Sequence, residues 1–394
     1  MAYIVLKPGK QKSVLRFHPW VFSGAIANVI GNPQSGETVD VVDSDQNFLA
    51  RAAYSPMSQI RARIWSWKAD EVIDAVFFRK MLFRSIKARR IKTESGISTR
   101  LVYAESDGLP GLIIDQYADT LVFQFLSAGA EYWRKEIIQI SSELVEATYT
   151  YERSDIEARR LEGLPESSGL LSKHPRTEAI QFSENGAIFE VDIEKGQKTG
   201  FYLDQAVNRM KLRAIAKGSD ALDCFCYTGG FTINLLLGGA KTITAIDSSE
   251  SAIAQAQRHV ILNGFAPDAV NWREADVFRY LRELRDRNLS FDLIVLDPPK
   301  FAQNASQIEK ASRAYKDINL LALKLLRPGG YLATFSCSGT LDASLFQKIV
   351  AGAAVDAHVN AQIIDHYQQA QDHPVALFYP EAAYLKGLLV RVAF

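Results

Sequence analysis

The sequence predicts an α/β protein: an open, mostly parallel sheet in the C-terminal half, preceded by a small β domain and by a central section of α+β type. Three observations predict it. Short runs that alternate apolar and polar residues, separated by turn residues, fill the chain up to Trp65. A second group of strand-like runs with one helical repeat follows. From about Gly218 onward, strand-like and helix-like runs alternate, as in a sheet with helices on its faces. The implied boundaries are 1–75, 76–185 and 186–394.

In the first section, residues 37–43 read as a strand, 44–47 as a turn and 48–54 as the next strand. Residues 59–65 alternate apolar and basic, so Arg61 and Arg63 share one face and Ile60, Ala62 and Ile64 the other. One face can hold a core and the other phosphates. Trp20, in the aromatic cluster 18–24, reads as a core aromatic at a turn. In the central section 101–103, 112–115 and 121–125 read as strands. Trp133, Ile137, Ile138 and Leu144 mark one helix over 131–147, and 161–176, rich in Gly, Pro, Ser and charge, reads as a loop. Residues 187–193 open the last section. There, strands are predicted at 221–225, 242–247, 291–297 and 330–335, and helices at 232–237, 252–262 and 315–326. Ligands of such sheets sit beyond the carboxyl ends of the strands, where the strand order reverses.

The 394 residues, 47% hydrophobic and 23% charged, fit two or three folded domains and exclude disorder. The apolar uncharged stretch 224–240 contains Asn234 and two glycine pairs, so no span of about 18 apolar residues is expected to cross a membrane. The first residues lack the apolar core of a secretion signal. Three cysteines imply no disulfide framework and fit a reducing cytoplasm. Monomer and homodimer both stay open.

Net charge is zero, with 45 Lys+Arg against 45 Asp+Glu, but it is divided along the chain. Residues 1–100 hold 16 basic and 8 acidic side chains, 101–200 hold 9 and 18, and 201–394 hold 20 and 19. The basic excess peaks at 79–92, where Arg79, Lys80, Arg84, Lys87, Arg89, Arg90 and Lys92 meet no acid in sequence. Two readings stay open: a solvated helix face, or contact with RNA phosphates. The cations expected to meet RNA are Arg16, Arg61, Arg63, Arg84, Lys87 and Arg90.

The strand ends carry the chemistry. After Asp223, the run Cys224-Phe225-Cys226-Tyr227-Thr228-Gly229-Gly230 is not the dinucleotide G-x-G-x-x-G, because Phe225 and Tyr227 stand where that loop needs glycine. Hydride transfer is thereby disfavoured. Asp247 ends the next strand, 18 residues after Gly229, at a distance suited to a ribose diol, although an ordinary strand-turn-helix would look the same. Asp297-Pro298-Pro299-Lys300-Phe301 follows a buried strand; it is either a rigid stop or a stiff loop that holds a planar base. Cys337 lies between serines at the next strand end, as a small buried hydrophobe or as a nucleophile needing activation. Cys224 and Cys226 read as packing residues, and no zinc or other metal site is expected.

These motifs in this order resemble the class I S-adenosylmethionine-dependent methyltransferases. End to end, the chain is similar to the RlmI family of ribosomal large-subunit RNA cytosine-5 methyltransferases. The resemblance rests on HPWVFSGAI (18–26), ESDGLPG (105–111), GQKTGFYLDQ (196–205), CFCYTGGF (224–231), DPPKF (297–301), YKDIN (315–319) and FSCSG (335–339). It implies an N-terminal PUA domain that binds RNA, a central α+β domain and a C-terminal Rossmann-like methyltransferase domain. It further implies S-adenosylmethionine as cofactor and 23S ribosomal RNA as substrate. By position, Asp223 and Tyr227, Thr228, Gly229 and Gly230 would line the methionine end, Asp247 and Ser248 the ribose, and Asp276 and Val277 the adenine, with Tyr202 and Asp204 closing the pocket. Pro298, Pro299, Lys300 and Phe301 would meet the target base.

The implied chemistry is covalent: the Cys337 thiolate attacks carbon 6, carbon 5 takes the methyl group, a base removes the carbon-5 proton and the thiol leaves. Asp297 would hydrogen-bond the cytosine's polar edge. Many RNA cytosine-5 methyltransferases carry a second cysteine in the proline loop, and this loop has none. Two rival readings stand beside this one. An amino-group methyltransferase acting on adenine or guanine needs no thiol, and a non-catalytic RNA-binding assembly factor transfers no methyl group.

Overall fold

The computed structural model describes residues 2–89, 98–174, 176, 178–302 and 304–393. Among them the chain forms twenty strands in four sheets. It divides into two compact units: Met1–Phe182 with Val191–Leu203 and Gln371–Ala382, and Ser183–Glu190 with Asp204–Ala370 and Ala383–Phe394.

The first unit opens with β1 (Tyr3–Leu6), β2 (Trp20–Phe22), β3 (Ile26–Ile30), β4 (Thr38–Val42), β5 (Phe48–Tyr54) and β6 (Ile60–Ser66). They form a sheet in the order β2-β6-β5-β4-β1-β3, antiparallel except for the β1/β4 pair. Period-two alternation sends Ile4, Leu6, Val39, Val41, Ala50, Ala52, Ala62 and Ile64 into one core. The helix Ala75–Arg89 then buries Phe77, Phe78, Leu82 and Ile86, spaced to share one face.

A second sheet follows: β7 (Ser98–Tyr103), β8 (Leu112–Tyr117), β9 (Thr120–Phe125), β10 (Tyr149–Ser154) and β11 (Ser167–Leu170), in the order β11-β10-β9-β8-β7. The single helix expected over 131–147 is instead two, Ala128–Tyr132 and Arg134–Val145, broken at Trp133. The first is capped by the Ser127 side chain, which accepts the Ala130 N–H. Its small residues permit a close approach that reads as loop in sequence: a Cβ on Gly129 would lie 2.3 Å from the Ala53 Cβ. The loop expected over 161–176 also contains an edge strand, β11, which lacks apolar alternation because it borders the sheet. Strands β12 (Ile180–Glu184) and β13 (Ala187–Val191) form a hairpin that carries the chain onward.

The second unit holds β14 (Asp220–Cys224), β15 (Thr242–Asp247), β16 (Asn271–Glu274), β17 (Phe291–Leu296), β18 (Leu326–Ser336), β19 (Ala361–Gln368) and β20 (Lys386–Val392). Their order is β16-β15-β14-β17-β18-β20-β19, and β20 alone runs antiparallel to its neighbours. Leu222, Ile294, Leu296, Leu332, Leu388 and Val390 of this sheet pack with Tyr315, Ile318 and Phe346 from its helices. The strand order reverses between β14 and β17, so their carboxyl ends flank the crevice in which such sheets take ligands.

Candidate active site

The loop after β14 has an unusual backbone. Phe225 and Tyr227, at φ +62° and +48°, adopt the left-handed conformation normally left to glycine, and Gly229 follows at φ +78°. Each non-glycine residue held there costs on the order of 1 kcal/mol or more, so neighbours must impose it. They do: the Cys226 N–H donates to the Ile246 carbonyl (3.0 Å), the Tyr227 N–H to Asp247 Oδ2 (2.9 Å) and the Gly229 N–H to the Cys226 carbonyl (2.8 Å). His259 braces the loop from behind. Its Nδ1 lies 2.7 Å from the Thr228 carbonyl, which can only accept, while Nε2 accepts the Glu190 N–H at 3.0 Å. The Thr228 carbonyl thus requires a proton on Nδ1, Nε2 lies 3.0 Å from the Glu190 carbonyl as well as from its N–H, and burial lowers the ring's pKa and so favours its neutral form.

Three carboxylates converge at the ends of β14, β15 and β17. Asp223 is fully buried; Thr232 Oγ1 donates to its Oδ2 at 2.6 Å, and its Oδ1 has no partner among the described residues. Burial pushes the Asp223 carboxyl up to about 7, and the charges of Asp297 and Asp247 add to the rise against the Thr232 hydroxyl. Asp247 accepts from the Tyr227 and Ser249 N–H groups, both at 2.9 Å. Ser248 between them is exposed.

Asp297 is oriented by a hydrogen-bond chain of fixed polarity. Asn208 Nδ2 donates to the Gln368 carbonyl (3.0 Å) and to Gln205 Oε1 (2.6 Å), and Gln205 Nε2 then donates to Asp297 Oδ1 (3.0 Å). Because the chain starts on a carbonyl, which cannot donate, its far end must present a donor to Asp297. Beyond Asp297, Pro298 is buried, Pro299 and Lys300 are exposed, and the Phe301 ring packs against Tyr315 at 4.7 Å between centroids, tilted by 49°.

β17 and β18 are parallel neighbours, with Leu296 opposite Thr334, so Asp297 and Cys337 follow adjacent strand ends. Both serines beside Cys337 are fully buried. Ser336 Oγ donates to the Tyr315 hydroxyl (2.9 Å), Ser338 Oγ lies 3.3 Å from the same hydroxyl, and the Ala302 N–H donates to Ser338 Oγ at 3.3 Å. Pinned on both sides, Cys337 is partly exposed, whereas Cys224 and Cys226 are buried and their thiols pushed far up by that burial.

A family model described as a PUA-like domain matches residues 4–67, and one described as an S-adenosylmethionine-dependent methyltransferase matches 159–391. The protein named "Ribosomal RNA large subunit methyltransferase I" of Shewanella amazonensis is 49% identical over 391 residues, 99% of either chain. Its namesake in Tolumonas auensis is 50% identical, over 98% of either chain. The chain belongs to the ribosomal RNA large subunit methyltransferase I family. A solved putative methyltransferase from Streptococcus mutans shares the fold over the whole of both chains, with a TM-score of 0.84 at 22% identity. The expected class I methyltransferase fold, PUA-like module and S-adenosylmethionine dependence are thus borne out.

The methyltransferase unit fits that cofactor. The partnerless Asp223 Oδ1 and Thr228 Oγ1 are buried polar atoms beside the loop, and a Cβ on Gly229 would press to 3.0 Å from the Ala256 Cβ. Three mutually repelling carboxylates suit a ligand that carries positive charge. Asp276 caps the helix Val277–Asp286 by accepting the Arg279 N–H at 2.9 Å, and Val277 is buried behind it. Asp204, also buried, accepts the Tyr384 hydroxyl. Tyr202 belongs to the first unit, where its hydroxyl donates to Gln197, so the fold of the methyltransferase unit alone does not bring it to the others.

The expected RNA-binding cations fare unevenly. Arg63 is a correction: it does share a face with Arg61, but it is largely buried against Glu105 (3.6 Å) and Glu162 (3.1 Å), with its guanidinium over the Trp20 ring. Arg61 donates to the Pro56 carbonyl, and Arg16 is exposed. In the basic helix, Arg79 pairs with Glu143, Lys80 with Glu71 and Arg89 with Asp107. Arg84 and Lys87 are exposed and meet no carboxylate among the described residues. Lys87 lies over the half-exposed Phe83 ring. Arg90 and Lys92 lie outside the described residues. Sequence reasoning missed His259, Gln205 and Asn208; Gln205 closes the GQKTGFYLDQ run and was within reach, whereas no local pattern marks the other two.

Proposed function

We propose that the chain methylates carbon 5 of one cytosine in 23S ribosomal RNA, through a covalent bond between Cys337 and carbon 6 of the base. The observation that carries this reading is the partly exposed Cys337, pinned by its buried serines on the strand next to Asp297. The names of the relatives supply the ribosomal RNA, and a cytoplasmic location follows from that substrate. Among the described residues no helix is long and apolar enough to cross a membrane.

S-adenosylmethionine supplies an electrophilic methyl group when it is bound. Asp223 and the loop from Tyr227 to Gly230 would hold its methionine end, Asp247 and Ser248 its ribose, and Asp276 with Val277 its adenine, with Asp204 closing the pocket. Carbon 5 of cytosine is a weak nucleophile. The Cys337 thiolate adds to carbon 6, the electron pair freed in the ring makes carbon 5 nucleophilic, and carbon 5 takes the methyl group. A base then removes the carbon-5 proton, and the S–C6 bond breaks to return the thiolate. Asp297, oriented by Gln205, hydrogen-bonds the polar edge of the base and offsets charge that develops on the ring. The rigid Pro298-Pro299 pair, Lys300 and Phe301 hold the base once it leaves its stack. Replacing Asp297 with Asn keeps an acceptor for Gln205 and removes the charge. It is expected to lower kcat roughly a hundredfold with cofactor affinity nearly unchanged, measured by steady-state methyl transfer and equilibrium binding.

Labelled S-adenosylmethionine, protein-free ribosomal RNA and mass spectrometry of the product nucleosides test the function directly. 5-Methylcytidine is expected; a methylated adenosine or guanosine, or no product, rejects the reading. RNA contact is proposed for Arg16, Arg61, Arg84 and Lys87. Changing Arg84 and Lys87 together to Ala is expected to weaken RNA binding and to reduce the slope of log affinity against log salt by about 1.5. An unchanged slope would return both side chains to the role of a solvated helix face.

A further inference from the structure

Lys386 opens β20, and its Cα lies opposite that of Ser336, the last residue of β18. The antiparallel pairing brings the start of β20 to the end of β18, where Cys337 begins the following loop. Lys386 Nζ donates to two carbonyls of that loop, Ser338 O at 2.7 Å and Leu341 O at 2.6 Å. A partly buried ammonium is therefore fixed by the loop that carries the thiol. Burial pushes Lys386 down to about 8; the charges of Cys337 and Asp342 favour its ammonium form, and Lys300 opposes it. Cys337 also faces Tyr315, whose hydroxyl burial raises and whose ionisation the thiolate charge opposes further. Attraction is mutual, so an ammonium that the thiolate stabilises also stabilises the thiolate.

We propose that Lys386 is a positioning residue for methyl transfer: its ammonium, anchored on the Ser338 and Leu341 carbonyls, holds Cys337 in the ionised form that attacks the base. This rests on the reading of Cys337 as the nucleophile. An ordinary thiol, with a pKa near 8.5, is only about 3% ionised at pH 7, so a fixed cation supplies the activation that the sequence called for. The sign sets a window. Rising pH ionises the thiol but neutralises Lys386 above about 8, so the supporting charge is present at and below neutral pH and is lost in alkali.

The test is the rate at which iodoacetamide alkylates Cys337 across the pH range, with the peptides resolved by mass spectrometry so that the buried Cys224 and Cys226 do not contribute. In the unaltered protein the rate is expected to rise with a midpoint below the ordinary thiol value of about 8.5. A midpoint at or above that value overturns the proposal without any variant. Lys386→Gln keeps N–H donors for the two carbonyls and removes the charge; it is expected to raise the midpoint and slow alkylation at pH 7 roughly tenfold, whereas Lys386→Arg stays close to the unaltered protein. A role confined to clamping the loop would leave the Lys386→Gln midpoint unmoved, and that result also overturns the proposal. The same variant is expected to lose kcat at neutral pH and recover it at higher pH, with KM unchanged. Methylation surviving in Cys337→Ala would instead reject the nucleophile reading, whatever the alkylation profiles show.

Discussion

Replacing Cys337 with alanine is expected to lower methyl transfer by at least about a thousandfold while S-adenosylmethionine binds within about twofold of its normal affinity. The separation of the two effects follows from the fold. The proposed methionine- and ribose-binding residues stand at the ends of β14 and β15 and on the loop from Tyr227 to Gly230, whereas Cys337 follows the end of β18, with β17 between. Removing one sulfur from a partly exposed site leaves the Ser336–Tyr315–Ser338 bracket intact, so the loop keeps its shape. Loss of turnover would thus report lost chemistry. The checks are methyl-transfer kinetics, calorimetric cofactor binding, and a search for an RNA–protein adduct that resists denaturation in the unaltered protein and is absent from the variant. Turnover within about tenfold of normal would sink the covalent scheme and favour direct attack by an exocyclic amine.

The C-terminal α/β sheet was legible because its central strands are buried and read as apolar runs; 291–297 is the clearest, and β17 occupies Phe291–Leu296, whereas the largely exposed β16 and β19 carry no such run. Less legible was the loop after β14. Phe225 and Tyr227 set it apart from a glycine-rich loop, yet both residues take up the glycine-like backbone, because hydrogen bonds donated by the loop to the Ile246 carbonyl and the Asp247 carboxylate impose it. A rule about residue type cannot see a conformation enforced by a neighbouring strand. Asn208, His259 and Lys386 were illegible for the same reason. Lys386 lies 49 positions from Cys337, and only the antiparallel return of β20 brings it to the same loop.

The divided charge has a different meaning in three dimensions. The acids of 101–200 have partners: Glu105 and Glu162 take Arg63, Asp107 takes Arg89, Asp115 takes Arg100 and Glu143 takes Arg79. Others take arginines of their own segment, with Glu131 on Arg159, Glu152 on Arg134 and Asp119 on Arg176. Four cations of the basic first hundred residues, Arg63, Arg79, Arg89 and Arg100, are thus neutralised by acids of the second hundred inside one unit. Part of the excess that looked like an electrostatic footprint is therefore internal, which narrows the proposed RNA contact to Arg16, Arg61, Arg84 and Lys87.

The most consequential of these pairs for stability is Arg100–Asp115, and Asp115→Ala is expected to destabilise the first unit by about 3–5 kcal/mol. Asp115 is fully buried; Arg100 Nε and Nη2 reach its two oxygens at 2.7 Å each, and Thr199 Oγ1 donates to Oδ2 at 2.6 Å. The alanine would leave a guanidinium that is 8% exposed without the carboxylate that its Nε and Nη2 grip, and Thr199 without that acceptor, and breaking a buried pair costs more than the intact pair contributes. Replacing both partners should then cost less than replacing one: Asp115→Ala with Arg100→Met is expected to recover most of the loss, because no charge remains to be desolvated. Four of the five tryptophans, Trp20, Trp65, Trp67 and Trp133, lie in the first unit, so denaturant titration followed by tryptophan fluorescence reads this unit in preference to the other. A loss under about 1 kcal/mol for Asp115→Ala would mean that water or a rearranged carboxylate reaches Arg100. A double variant no more stable than Asp115→Ala would mean that the destabilisation comes from the emptied volume and not from the stranded charge.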